Sequence, residues 1–115
     1  MCMELSINRK ALPIEVMETP SQKSLGMMGR KKLNGGMLFN FPDVREQSFW
    51  MKNCLIPLDI LMLVDNKVTK IHSNCPPCTT NPCKNYKGIG NKVLELNGGE
   101  CKKLGIKLGD TLNFI

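Results

Sequence analysis

The stretch "PLDILMLV", residues 57 to 64, limits what this chain can fold into more than any other. Read as a strand, it puts Leu58, Ile60, Met62 and Val64 on one face and Asp59, Leu61 and Leu63 on the other. Both faces are apolar near its middle, so the strand must be central, with cover on either side. Asp59 is the exception within it. A buried carboxylate costs several kcal/mol unless it is paired or hydrogen-bonded, so Asp59 must have partners or lie at an opening.

The neighbouring segments read as short strands. "LPIEV" (12–16), "GGMLFNF" (35–41), "SFWMKN" (48–53), "KVTKIH" (67–72), "NKVLELN" (91–97) and "GDTLNFI" (109–115) each carry strand composition bounded by turn formers, and "DN" (65–66) makes a hairpin with the central strand. Thr19 is a good helix cap with Pro20 at the first helical position, which predicts a short helix from about 20 to 31. "GGECKKLG" predicts a second, ending at Gly105. From Ser73 to Gly90 there is no apolar period, and a long loop is expected. The expected fold is mainly β: a single-domain (1–115), compact antiparallel β-sandwich or barrel with two short helices.

A length of 115 residues and a charged fraction of 23% suit one ordinary domain. The longest apolar runs fall far short of the roughly 20 residues a membrane helix needs. The N-terminus carries Glu4 and no signal-peptide pattern, from which a cytoplasmic location is expected. The net charge of +6 comes from scattered lysines, with one tight cluster at "RKK" (30–32). The aromatics Phe39, Phe41, Phe49, Trp50 and Phe114 sit among apolar neighbours and read as core. That combination argues against a nucleic-acid binder, which interleaves basic residues with exposed aromatics.

Three of the six cysteines, Cys75, Cys78 and Cys83, fall in the expected loop. "CPPC" invites a redox reading, but the sequence after it cannot supply the helix that activates such a pair. A zinc site would take its fourth ligand from His72, Cys54 or Cys101, without the support of a second C-x-x-C pair. The plainer reading is a Cys78–Cys83 disulfide closing a loop stiffened by Pro82, worth roughly 2 kcal/mol. Cys2, Cys54 and Cys101 read as free thiols, Cys54 and Cys101 as partly buried small hydrophobes.

Arg30 and Lys52 are the cationic candidates to meet Asp59, Trp50 offers an apolar wall, and Asn53 both donates and accepts. Together, Arg30, Trp50, Lys52, Asn53 and Asp59 are the ingredients of a small polar-ligand pocket, and equally of a structural polar knot. The expectation is that Arg30 and Asp59 share one cavity wall beside Trp50. No serine stands in a G-x-S-x-G elbow and no phosphate-cradling glycine loop occurs, so no catalytic set is assigned.

In order, "GMLFNF", "FWMKN", "IPLDI", "PPCTTNPC", "VLEL" and "LGIKLGD" resemble the family of domain of unknown function number 192, from about Ile14 to Leu112. The resemblance implies a compact β-sandwich or barrel with short helices and no established activity. The family pattern is matched at Gly26, Met27, Arg30, Gly36 to Phe39, Phe41, Phe49 to Asn53, Pro57 to Ile60, Cys78, Cys83, Tyr86, Gly109 and Asp110. Cys54 stands where the family usually has threonine, Cys75 is an added thiol, and many relatives carry an export leader.

The function expected from these readings is a non-enzymatic, monomeric module. It would bind a small polar ligand or a protein partner near Arg30, Trp50, Lys52, Asn53 and Asp59, without a cofactor or resident metal. The alternative is a thiol-redox or zinc protein acting through Cys75, Cys78 and Cys83, and an enzyme built on Asp59 is a third reading.

Overall fold

In the computed structural model, which describes residues 3–115, seven strands form one curled, half-barrel sheet with two short helices. The elements are β1 (Met3–Ile7), β2 (Lys10–Met17), α1 (Pro20–Leu25), β3 (Gly36–Trp50), β4 (Leu58–Val64), β5 (Lys67–Cys75), β6 (Asn85–Asn97), α2 (Glu100–Lys103) and β7 (Asn113–Phe114). The strand order is β5-β4-β6-β3-β2-β1-β7. The segment before β7 bridges the edge at β5. Val68 N–H donates to the Asp110 carbonyl at 2.8 Å, and the Gly109 and Leu112 amides donate to the Val68 and Asn66 carbonyls, each at 2.8 Å. No helix among the described residues is long and apolar enough to cross a membrane.

As its composition requires, β4 is covered on both sides. One cluster contains Leu58, Ile60 and Met62, together with Met37, Phe39 and Val93. The other contains Leu61 and Leu63, together with Leu38, Leu94 and Leu96, and is capped by Cys101 and Leu104 of the α2 region. Five methionines (17, 27, 37, 51 and 62) pack the first cluster. Their flexible thioethers fill the irregular space between the sheet and the chain that crosses it.

Several local features differ from or add to what the sequence led one to expect. The sheet is not wholly antiparallel, because β2 and β3 pair in parallel across the connection that holds α1. β1 pairs with β2 through a tight turn at Asn8 and Arg9, both at positive φ (50° and 64°), a conformation that nothing about an arginine announces. "GMLFNF" and "SFW" belong to one strand, because the register with β6 breaks between Asn40 and Arg45. Pro42 sits in that break, where it costs no ladder bond. The expected 73–90 loop shrinks to residues 76–84, since both β5 and β6 run into it. Gly88 and Gly90 there are strand residues; a Cβ at Gly88 would lie 2.9 Å from the Lys70 Cβ, so glycine allows the close approach of β5.

The helix α1 is capped as its sequence predicts. Thr19 accepts from the Gln22 amide, the Gln22 side chain accepts from the Thr19 amide, and Pro20 opens the first turn. It ends at Leu25 rather than near 31, stopped by Gly26 at φ +46°. A Cβ at Gly26 would lie 3.3 Å from the Phe39 ring, so glycine both ends the helix and lets it close onto β3.

Asp59 is fully buried and satisfied by backbone alone. Its Oδ1 accepts from the amides of Asn74 at 2.7 Å and Gly99 at 3.0 Å, and its Oδ2 accepts from Cys101 at 2.9 Å. One carboxylate thus ties the start of β4 to the end of β5 and to the first turn of α2. Asp59→Ala is expected to lower unfolding free energy by about 3 kcal/mol or more, because three amides lose a charged acceptor. Urea denaturation measures it. Arg30→Ala serves as a control expected to cost less than ~1 kcal/mol, since Arg30 pairs at the surface.

Candidate functional site

A cavity of ≈ 250 Å³ opens between α1, the turn after it, the end of β3 and the first-cluster face of the sheet. Phe39, Phe41, Phe49, Trp50 and Met27 supply its apolar walls, with Cys54 beside them. The Phe39 and Phe49 rings meet edge to face with centroids 4.9 Å apart, and Phe49 and Phe41 do so at 6.2 Å, which fixes the wall's shape. Lys23 and Lys52 also line it, both half-buried. The Lys23 Nζ stands 4.4 Å from the Phe41 ring centroid, and the Lys52 Nζ stands 5.1 Å from that of Trp50.

The one acidic residue lining this cavity is Glu95, in the middle of β6. Its register neighbours are Met37 on β3 and Ile60 on β4, so the pleat turns it to the same face as Val93 and into the first cluster. It is 4% exposed, and its Oε1 is sealed from solvent with no hydrogen-bond partner. Burial away from any compensating group pushes its carboxyl up from 4.5 to about 8. Glu95 is therefore mostly an uncharged acid at neutral pH. The thiol of Cys54 nearby is pushed up to about 11, first by burial and then by Glu95, and stays protonated.

Two of the five binding residues expected from the sequence line the cavity: Trp50 and Lys52. Trp50 is 44% exposed, so it is a rim residue and not the core residue its apolar neighbours suggested. The other three lie elsewhere. Arg30 does not meet Asp59; its guanidinium pairs in a fork with Glu15, at 2.6 Å and 2.8 Å, on the surface. That pairing lowers the Glu15 carboxyl and raises Arg30. Asp59 has no need of a cation because three amides saturate it, and its side chain lies on the opposite sheet face from Glu95. Asn53, at φ +60°, is a turn residue whose amide donates to the Cys78 carbonyl and whose carbonyl accepts from Gly29. The shared-wall expectation for Arg30 and Asp59 is thus corrected, and Asp59 is a structural knot.

Glu95 was passed over because "VLEL" scans as an ordinary strand. The available signal was parity: with Val93 inward, Glu95 must be inward too. The cavity is formed partly by α1 and residues 26–28, and no periodicity announces that such a crossing leaves a gap.

Cys78 and Cys83 stand at disulfide-bonding distance, with Sγ–Sγ 2.06 Å and Cα–Cα 5.9 Å. Cys54, Cys75 and Cys101 are buried and free, while Cys2 lies outside the described residues. Burial pushes the Cys75 and Cys101 thiols up to about 11, which removes the thiolate a redox role would need. Among the described residues, no three His, Cys, Asp or Glu side chains come together as a metal site. The cysteine loop meets the first cluster at Cys78, whose side chain packs against it and whose N–H donates to the Met51 carbonyl at 3.1 Å, and no residue of that loop lines the cavity.

A family model described as "Uncharacterized ACR" matches residues 3–114. Among solved structures, the chain is similar to a protein of Sinorhizobium meliloti 1021 described as a supposed transcription regulator. The identity is 34% and the TM-score 0.83, over 98% of this chain and 92% of that one. It is similar also to a protein of unknown function from Novosphingobium aromaticivorans DSM 12444, at 30% identity and TM-score 0.83, over 98% of this chain and 84% of that one. No curated protein matches the chain.

The raised carboxyl has a consequence for stability. Below pH 4.5 Glu95 is protonated both folded and unfolded; between 4.5 and about 8 the folded chain holds a proton the unfolded chain has released. Stability therefore falls as pH rises through that window, by up to ~1.4 kcal/mol per unit, and levels off above it. Glu95→Gln removes this slope. Relative to the native chain, the variant should gain melting temperature steadily from pH 5 to 8, read from thermal melts by circular dichroism; parallel melting curves across that range would contradict the assignment.

Proposed function

Because the chain belongs to the family of domain of unknown function 192, whose description carries no activity, we propose from its cavity that it is a small-molecule binding module and not an enzyme. One observation carries this reading: a buried carboxyl with an unpartnered oxygen lines an aromatic-walled cavity. A fold that keeps such a group bears a cost of roughly 1–3 kcal/mol for each missing hydrogen bond, and a molecule that meets the cavity-lining part of the Glu95 carboxyl would offset some of it. Apolar walls with a few convergent polar groups and one strongly shifted acid are the marks of a ligand site. Arg30, Asn53 and Asp59 hold the surrounding chain in place, while Glu95, Trp50, Lys23 and Lys52 are the residues that would touch the ligand.

Binding is favoured over catalysis by what surrounds Glu95. The thiol that lines the cavity, Cys54, is held protonated, and the lining residues contain no histidine to activate a thiol or hydroxyl. A regulatory role, as supposed for the Sinorhizobium protein, would use the same cavity to sense its signal. The Cys78–Cys83 pair closes in an oxidising compartment and stays as thiols in a reducing one, so its state in cells reports where the chain works.

The chain has a single tryptophan, so the indole N–H resonance of Trp50 is one peak and reports occupancy directly. Titration with tyrosol, a neutral phenol alcohol, should shift that peak saturably at millimolar concentration. Ser48→Phe, placed at the exposed strand position that lines the mouth, should abolish the shift. A linear, unsaturable response, or an equal response in the variant, would remove the cavity from consideration.

A further inference from the structure

The charges around the cavity are unbalanced. Lys23 and Lys52 are half-buried and line the mouth, yet among the described residues neither forms an ion pair; both ammonium groups rest over aromatic rings. The acid that could have balanced them, Glu95, is uncharged at neutral pH. The lining of the cavity is thus net positive on a chain of net charge +6. An incoming cation would have to pass two ammonium groups and strip the proton from a buried acid. An incoming anion meets neither obstacle and is drawn in by the field of the whole chain.

Resting on the reading that the cavity binds a small molecule, we propose that its ligand is an apolar organic monocarboxylate. Its anionic end sits at Lys23 and Lys52, its flat body lies against Phe39, Phe49 and Trp50, and its inner end carries a hydroxyl or carbonyl that meets Glu95. The protonated acid can both donate and accept there, which suits a hydroxyl especially. The lysine stems cover apolar wall while their heads reach the mouth, so each contributes both area and charge.

The titratable neighbours of Glu95 set the pH range in which this holds. β3 and β4 present Met37, Phe39 and Ile60 to it, none of which titrates. Cys54 stays protonated up to about 11. His72 lies behind Ile60 on β5, with its Nε2 at 2.8 Å from the Lys87 carbonyl and its ring against Tyr86. The group that changes charge between pH 7 and 9 inside the cavity is therefore Glu95, and its ionisation adds a negative charge that repels the anion.

The test uses three probes with the same phenol and different charge: 4-hydroxyphenylacetate, neutral tyrosol and cationic tyramine, each followed by the Trp50 indole resonance. The anion should bind tightest, by about five-fold over tyrosol, equivalent to ~1 kcal/mol. That preference should shrink from pH 7 to 9, and in the Lys23→Gln, Lys52→Gln double variant it should fall towards one. Tyrosol binding by the double variant, measured in the same series, shows that its cavity is intact. Tyramine binding tightest, or a preference unchanged in the double variant, would overturn the anion assignment while leaving the cavity a binding site. Failure of all three probes to bind the native chain would overturn both.

Discussion

The structure depends on β4 being buried on both faces. A strand with apolar cover on each side cannot sit at an edge, so β5 and β6 flank it, and the sheet curls to bring cover to both faces at once. Once that is fixed, the strict alternation of strand side chains decides where polar residues must go. Asp59 falls towards one cluster. Glu95, one strand away, falls towards the other. The fold therefore buries two carboxyl groups on opposite sides of the same pair of strands.

Their fates differ because of what each face offers. On the Asp59 side, the chain leaves β6 through Gly98 and Gly99 into the short α2, and the free amides at that start, with Asn74 on β5, converge on one carboxylate. The three hydrogen bonds replace the water that burial removes, and Asp59 becomes a fastening between three segments. On the Glu95 side the cover comes from α1 and from phenylalanine, methionine and other side chains, none of which donates a hydrogen bond to its Oε1. Glu95 responds by keeping its proton. One carboxyl holds the fold together, and the other is buried with an oxygen that has no hydrogen-bond partner.

Much of this was legible in the sequence. The double-faced pattern of 58–64 gave a central strand, Thr19 with Pro20 gave the start of α1, and the need of Asp59 for partners followed from its place in an apolar run. The identity of those partners did not follow, because backbone amides at a turn leave no mark in the side-chain record. Arg30 was the natural candidate by charge, but Glu15, across the parallel β2–β3 connection, reaches it first. The same crossover was hidden because α1 is only six residues long, too short to announce a strand-helix-strand unit. Trp50 and Lys52, picked out because a tryptophan and a lysine closing an apolar strand stand out, both line the cavity. Glu95 was missed because a lone glutamate in a strand ordinarily faces solvent, and only the inward parity of Val93 says otherwise.

The central claim is that Glu95 stands uncharged against an apolar-walled cavity. Carbon-13 NMR of the side-chain carboxyl of Glu95, followed across pH in the free native chain, tests it most directly. The account predicts a titration midpoint near 8. A midpoint at the ordinary value near 4.5 would mean that water or a cation already meets the carboxylate, and would contradict it.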